Sequence, residues 1–196
     1  MLPLKRVKPL LTTVDMVLIA LFAVLIAVCA WIAIPTTVPF TLQTFAVLCA
    51  MGLLGGRRAT LTILLYLLMG AVGLPVFSHF GGGLGKLLGV TGGYLVGFLA
   101  STLVYWLFTK LAGEGYIARL AGMVLGLLVC YAFGTAWFMV AYAPATGPVS
   151  LATALGMCVV PFLIPEAVKV ALAAFIVRIL PARIGALNRR AAADQH

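Results

Sequence analysis

Glu166 and Lys169 stand three residues apart in Pro161-Phe-Leu-Ile-Pro-Glu-Ala-Val-Lys-Val-Ala-Leu-Ala173, one of the most apolar runs of the chain. On a helix this spacing puts both side chains on one face, within reach of each other. An ionisable side chain at membrane depth costs several kcal/mol, so it usually faces a cavity, a partner or a substrate. A carboxylate beside an ammonium in apolar surroundings can accept N–H donors from a polar ligand. Alternatively, the pair pins two helices together.

Other chemistry is scarce. Cys29, Cys49, Cys130 and Cys158 all lie in apolar spans without CxxC spacing and read as small buried hydrophobes. His79 and His196 are the only histidines, one in a loop and one at the terminus. No metal site and no catalytic cluster can be assembled from these residues, so no enzyme, resident metal or cofactor is expected. Asp15 suits the start of a helix, where a carboxylate meets the positive end of the dipole.

The elements that position the pair follow from composition. Hydrophobic residues make up 64% of the 196 and charged residues 9%, with a mean hydropathy of +1.22. A soluble domain carries about a quarter charged residues, so the chain belongs in a bilayer. It is expected to be a single membrane domain over 1–196. A basic cytoplasmic leader would cover 1–13, a six-helix bundle 14–180, and a cytoplasmic tail 181–196.

Six apolar segments carry this expectation: Val14 to Ile34, Pro39 to Leu54, Gly55 to Val72, Gly92 to Phe108, Ile117 to Tyr142 and Leu151 to Leu180. A span needs about 20 apolar residues, so the second and third are short. Eleven of the 13 Lys and Arg (Lys5, Arg6, Lys8, Arg57, Arg58, Lys110, Arg119, Arg178, Arg183, Arg189 and Arg190) fall at ends and loops of one side. The positive-inside rule makes that side cytoplasmic, with both termini. The net charge of +9 is therefore a topology signal, and nucleic acid is not an expected partner. No cleavable signal peptide is expected.

The two remaining lysines are Lys169 and Lys86. Lys86 lies in the longest outer connection, Gly73 to Thr91, which holds Gly81, Gly82, Gly83, Gly85 and Gly89. Glycine allows close backbone approach to a ligand, and Gly85, Gly89, Gly93 and Gly97 recur every four residues as a small face. This loop is expected to cap a pocket and lead into the fourth helix. It is not a nucleotide loop, because residue 80 is Phe and residue 87 is Leu where a Walker sequence needs Gly and a hydroxyl. Along the first helix Ala20, Ala23, Ala27 and Ala30 form a small-residue ridge, which serves packing within the chain or docking of another subunit.

Four motifs, spread in order over nearly the whole chain, resemble the BioY family: Pro39-Phe-Thr-Leu-Gln-Thr-Phe45, Leu65-Tyr-Leu-Leu-Met-Gly-Ala-Val-Gly-Leu-Pro-Val-Phe77, Gly82-Gly-Leu-Gly85 with Thr91-Gly-Gly-Tyr-Leu-Val-Gly97, and Pro161 to Lys169. Family members usually show Gly-Asp where this chain has Pro165-Glu166, so the acid is kept and lengthened by one methylene. The resemblance implies an all-α, six-helix S-component of an energy-coupling factor (ECF) transporter in the cytoplasmic membrane of a prokaryote, with a biotin pocket near the outer face. It also implies a transmembrane coupling protein and two cytoplasmic ATPases as partners, with Ala23 and Ala27 on the docking face.

On that reading, Glu166 accepts from the ureido N–H groups of biotin and the Gln43 amide both donates and accepts. Phe40, Phe45, Tyr66 and Tyr94 enclose the ring and alkyl chain, although each taken singly fits ordinary bundle packing equally well. Lys86 pairs with the ligand carboxylate, while Lys169 orients Glu166 and donates to the ureido oxygen. The opposite assignment of the two lysines stays open. So does an S-component or small transporter for another carboxylated vitamin. A membrane enzyme or a channel is disfavoured by the shortage of His, Asp and Glu and of recurrent polar rings.

Overall fold

The computed structural model describes residues 11–35 and 38–193, apart from the side chains of 144–146 and 181–193. The leader cations Lys5, Arg6 and Lys8, the side chains of Arg183, Arg189 and Arg190, and His196 lie outside the described residues.

Helix α1, Thr13–Trp31, starts at a capping box in which Thr12 and Asp15 exchange side-chain-to-backbone hydrogen bonds of 3.2 and 2.9 Å. The cap satisfies backbone N–H groups that the first helical turn leaves unpaired. Asp15 also pairs with Arg58 at 2.6 Å. After α1 the chain forms a two-residue antiparallel ribbon, β1 (Ala33–Ile34) with β2 (Phe40–Thr41), which places Ala33 opposite Thr41 and Ile34 opposite Phe40. Helix α2, Gln43–Leu54, follows, and α3, Gly56–Ala71, begins after a single linking residue. That link is Gly55 at φ 79°, a left-handed conformation that side chains disfavour.

The glycine-rich connection then makes a 3₁₀ turn at Ser78–Phe80 and a short helix α4, Leu84–Leu88. Trp31 ties it to the end of α1: its indole N–H donates to the Pro75 carbonyl at 2.8 Å and its ring stacks on Phe80. Helices α5, Gly92–Ala112, and α6, Tyr116–Thr146, form the most extensive pair in the molecule. Gly93 and Gly97 of α5 meet Trp137 and Cys130 of α6, while Gly126 and Gly134 of α6 meet Ser101 and Tyr94 of α5. Small residues on both helices let the backbones approach closely, the main source of helix association where lipid removes the hydrophobic drive. A Cβ at Gly126 would lie 2.8 Å from the Ser101 carbonyl oxygen. Gly126→Ala is therefore expected to destabilise the fold by about 1–3 kcal/mol, read as a lower unfolding midpoint in detergent; an unchanged midpoint would show that the two helices have slack.

Beyond α6 lie α7, Leu151–Cys158, a 3₁₀ turn at Val160–Phe162, and α8, Leu163–Ala193. The expected continuous sixth segment is thus broken in two. Pro161 sits in the first turn of the 3₁₀ element and lacks an N–H to continue a helical ladder, and Val159 takes a non-helical backbone conformation. Pro165 lies in the first turn of α8, where its missing N–H would have no helical partner anyway. The break places Glu166 in that first turn, at the positive end of the helix dipole.

Among the described residues the regular structure is helical apart from the two-residue ribbon. Four segments, Thr13–Trp31, Gly92–Ala112, Tyr116–Ala143 and Leu151–Leu180, are long and apolar enough to cross a membrane. α2 and α3, with 12 and 16 residues, reach only about 18 and 24 Å at 1.5 Å per residue. The outward face of α1 carries Val17, Leu21, Val24 and Val28, all exposed as suits contact with lipid.

Candidate ligand-binding site

Two chain breaks build the site: the ribbon that leads into α2 and the turn that leads into α8. The Lys169 ammonium donates to the Thr41 carbonyl at 2.7 Å, the Thr44 hydroxyl at 2.8 Å and Glu166 Oε1 at 2.6 Å. An ammonium has three hydrogens, so all are used. Phe40 lies beneath the same nitrogen, its ring centroid 4.2 Å away, a cation–π contact that helps hold a desolvated charge. Thr44 in turn donates to Glu166 Oε1 at 2.9 Å.

Glu166 is 5% exposed and Lys169 4%. With one carboxylate oxygen fixed twice over, the other, Oε2, is buried and makes no hydrogen bond of good geometry among the described residues, although the Tyr131 side chain interacts with the same carboxylate. A buried carboxylate oxygen without a donor is costly, and such atoms in a native fold call for an explanation. Here Glu166 lines a cavity with Phe40, Thr41, Gln43 and Thr44 around the start of α2, Tyr94, Leu95 and Phe98 of α5, Tyr131 of α6, and Cys158 and Phe162. Ser78 and Thr91 of the glycine-rich connection also line it. The walls are aromatic: Phe40 stacks on Phe162 at 6.0 Å, and Tyr94 meets Tyr131 edge-on at 5.9 Å. Thr135 fixes the Tyr94 hydroxyl at 3.1 Å. Such a cavity offers a largely apolar slot with an unpartnered carboxylate oxygen at its wall, suited to a flat, partly apolar ligand bearing N–H or O–H donors.

A profile of the BioY family matches residues 5–186. The chain belongs to the BioY family. It is 46% identical over 115 residues to the biotin transporter BioY of Thermotoga maritima, an overlap of 58% of this chain and 68% of that protein. It is 38% identical over 160 residues to the probable biotin transporter BioY of Pyrococcus horikoshii, covering 81% and 91% of the two chains. Its fold is similar to that of a solved S-component for biotin from an ECF-type ABC transporter, with a TM-score of 0.77 and 25% identity over 88% of this chain and 95% of that one. This BioY chain is a multi-pass membrane protein with the S-component fold.

The residues singled out from the BioY sequence divide by position. Glu166, Gln43, Phe40 and Tyr94 line the cavity. Lys169 and Tyr66 stand behind it: Lys169 holds Glu166, while Tyr66, fully buried, accepts from the Gln43 amide at 2.9 Å and donates to the Val76 carbonyl at 3.0 Å. Tyr66 thereby links the pocket glutamine to the glycine-rich connection. Phe45 packs against the main core, outside the lining. Lys86, half-buried on α4 with its stem beside Gly81, is also outside the lining. Ala23 and Ala27, expected on a docking face, are 0% and 3% exposed. The first helix turns Ala23, Ala27 and Ala30 inward, where it packs on α2 and α3, and leaves Ala20 exposed.

Several lining residues escaped the sequence reading. Thr44 lay within the quoted motif Pro39 to Phe45, but only its contact with a residue 122 positions away reveals its role. Tyr131, Phe98 and Phe162 sit in apolar runs where nothing local distinguishes a pocket wall from core.

Proposed function

We propose that this chain binds biotin and delivers it across the cytoplasmic membrane as the substrate-binding subunit of an ECF-type transporter. Membership of the BioY family and the likeness to biotin transporters and to a solved S-component for biotin support the substrate. The observation that carries the site is the buried, unpartnered Oε2 of Glu166 on an aromatic-walled cavity. Biotin supplies two ureido N–H donors for that oxygen, and its ring and alkyl chain fit between Phe40, Tyr94, Phe98 and Phe162. Gln43 completes the polar contacts, and Lys169, its donors already engaged, acts by positioning Glu166 rather than by touching the ligand.

In this reading the six helical segments other than α4 and α7 form the bundle with both termini in the cytoplasm, and α2 and α3 span it as short members. The glycine-rich connection roofs the pocket from outside. A transmembrane coupling protein and two cytoplasmic ATPases supply the energy; the exposed edge of α1, rather than the buried Ala23 and Ala27, is the face such a partner would meet. Isothermal titration of the purified chain with biotin and with a panel of other carboxylated vitamins tests the assignment. Tight one-to-one binding of biotin alone is expected; preference for another vitamin would overturn it.

Lys86 is assigned to the ligand carboxylate, reached when the connection closes over the pocket. Lys86→Ala is expected to lower the affinity for biotin about tenfold, the scale of one charge-assisted hydrogen bond. Affinity for biotin methyl ester should stay unchanged. Equal losses for acid and ester would remove Lys86 from that role.

A further inference from the structure

We infer that the charged end of the molecule carries a binding site for the phosphate headgroup of an anionic phospholipid, in a groove between α1, α3 and α5. The groove, about 590 Å³ in volume, is bordered by Leu11 and Asp15 at the start of α1, Arg57 and Arg58 in the first turn of α3, Trp106 and Lys110 near the end of α5, and Glu114 just beyond it, so three cations face two carboxylates. The positive-inside rule explains why cations gather at one end of a membrane protein. It does not require three of them, from helices some fifty residues apart, to converge on one groove. That convergence is fixed by packing: a Cβ at Gly56 would overlap Trp106, so the start of α3 lies directly against α5.

The cations here are only partly neutralised. Asp15 is paired with Arg58 at 2.6 Å, and Glu114 leans toward Arg119 at 3.7 Å. Arg57 and Lys110 have no carboxylate within ion-pair distance among the described residues. A guanidinium fork and an ammonium point charge facing one space suit the oxygens of a phosphate diester. Basic pockets between membrane helices take lipid headgroups by this chemistry.

A second feature selects an amphiphile. Seven, four and three residues before Lys110, on its own side of α5, stand Leu103, Trp106 and Leu107, each exposed by more than a third. An acyl chain lying on this stripe brings its headgroup to Lys110 and Arg57. Free inorganic phosphate, or an acidic segment of a protein, would meet the cations and leave the stripe unused. The inference needs only that the chain is embedded in a membrane and is independent of the biotin reading.

The chain has three tryptophans, so replacing Trp31 and Trp137 by Phe leaves Trp106 as the only indole. In phosphatidylcholine nanodiscs, quenching of Trp106 by a minor fraction of bromine-labelled phosphatidylglycerol is compared with quenching by bromine-labelled phosphatidylcholine. A clear preference for the anionic lipid is expected, on the order of fivefold for each engaged cation, falling as salt rises. Arg57→Gln with Lys110→Gln should bring the two lipids level while circular dichroism melting curves overlay. Equal quenching in the parent protein overturns the site without any need for the variant. A preference that survives the double substitution overturns it too, since it would reflect the general field. Displacement of the labelled lipid by millimolar inorganic phosphate would assign the groove to a free anion. If lipid shows no preference and the double variant loses only its association with other subunits, the groove is a protein contact and the inference falls.

Discussion

Glu166→Gln is expected to weaken biotin binding by roughly thirtyfold or more in isothermal titration. Glu166 Oε1 is already taken by Thr44 and Lys169, so only Oε2 is left to receive the ligand. An amide with its oxygen held in the same place would turn its NH₂ toward the ligand, donor against donor. Removing one partner of a buried, charged hydrogen bond costs about 2–5 kcal/mol, or some thirtyfold to several thousandfold in affinity. Glu166→Asp should lose less, because the charge is kept and only the reach shortens. Unchanged binding by Glu166→Gln would move the site away from α8.

Lys169→Met is expected to cause the largest loss of stability of any single change at the site, about 3–5 kcal/mol. Its removal strands Glu166 as a buried charge and strips Thr41 and Thr44 of a donor. A fall in midpoint on the order of 10 °C should follow. The double variant Glu166→Gln, Lys169→Met removes both charges together, and buried pairs replaced as pairs are often tolerated. It should regain much of the stability while still failing to bind biotin. This pattern separates the two roles: Lys169 positions, Glu166 contacts. Were Lys169→Met as stable as the parent chain, the lysine would not be the counter-charge that holds Glu166 in place.

Membrane embedding was readable from composition alone, because 64% hydrophobic residues with 9% charged ones cannot be arranged as a soluble surface. The Glu166–Lys169 pair was readable from spacing, because i and i+3 share a helix face and the observed contact is 2.6 Å. The motifs that resemble BioY depended on no structure at all, and the family match over residues 5–186 encloses all of them. The pair and each motif are local, determined by residues close together in the chain, and composition depends on no arrangement at all.

What tertiary structure decided is long-range. The break at Val159–Phe162 that sets Glu166 at a helix start was hidden in a run whose hydropathy is continuous, and hydropathy does not register a missing N–H. Thr41 and Thr44 complete the Lys169 cage from more than 120 residues away, and their contact determines which carboxylate oxygen is left for a ligand. Small residues mark close approach but not its partner: Ala23 and Ala27 turned inward, while Gly126 and Gly134, unremarked in the sequence, became half of the α5–α6 interface. Lys86 shows the same limit, since charge and loop composition placed it at the outer rim but only the path of the connection put its side chain beside Gly81, outside the cavity lining. The sequence by itself determined the solvent this protein lives in, its family and its buried ion pair; which atoms of that pair face a ligand, and what walls surround them, was decided by packing between helices that periodicity cannot pair.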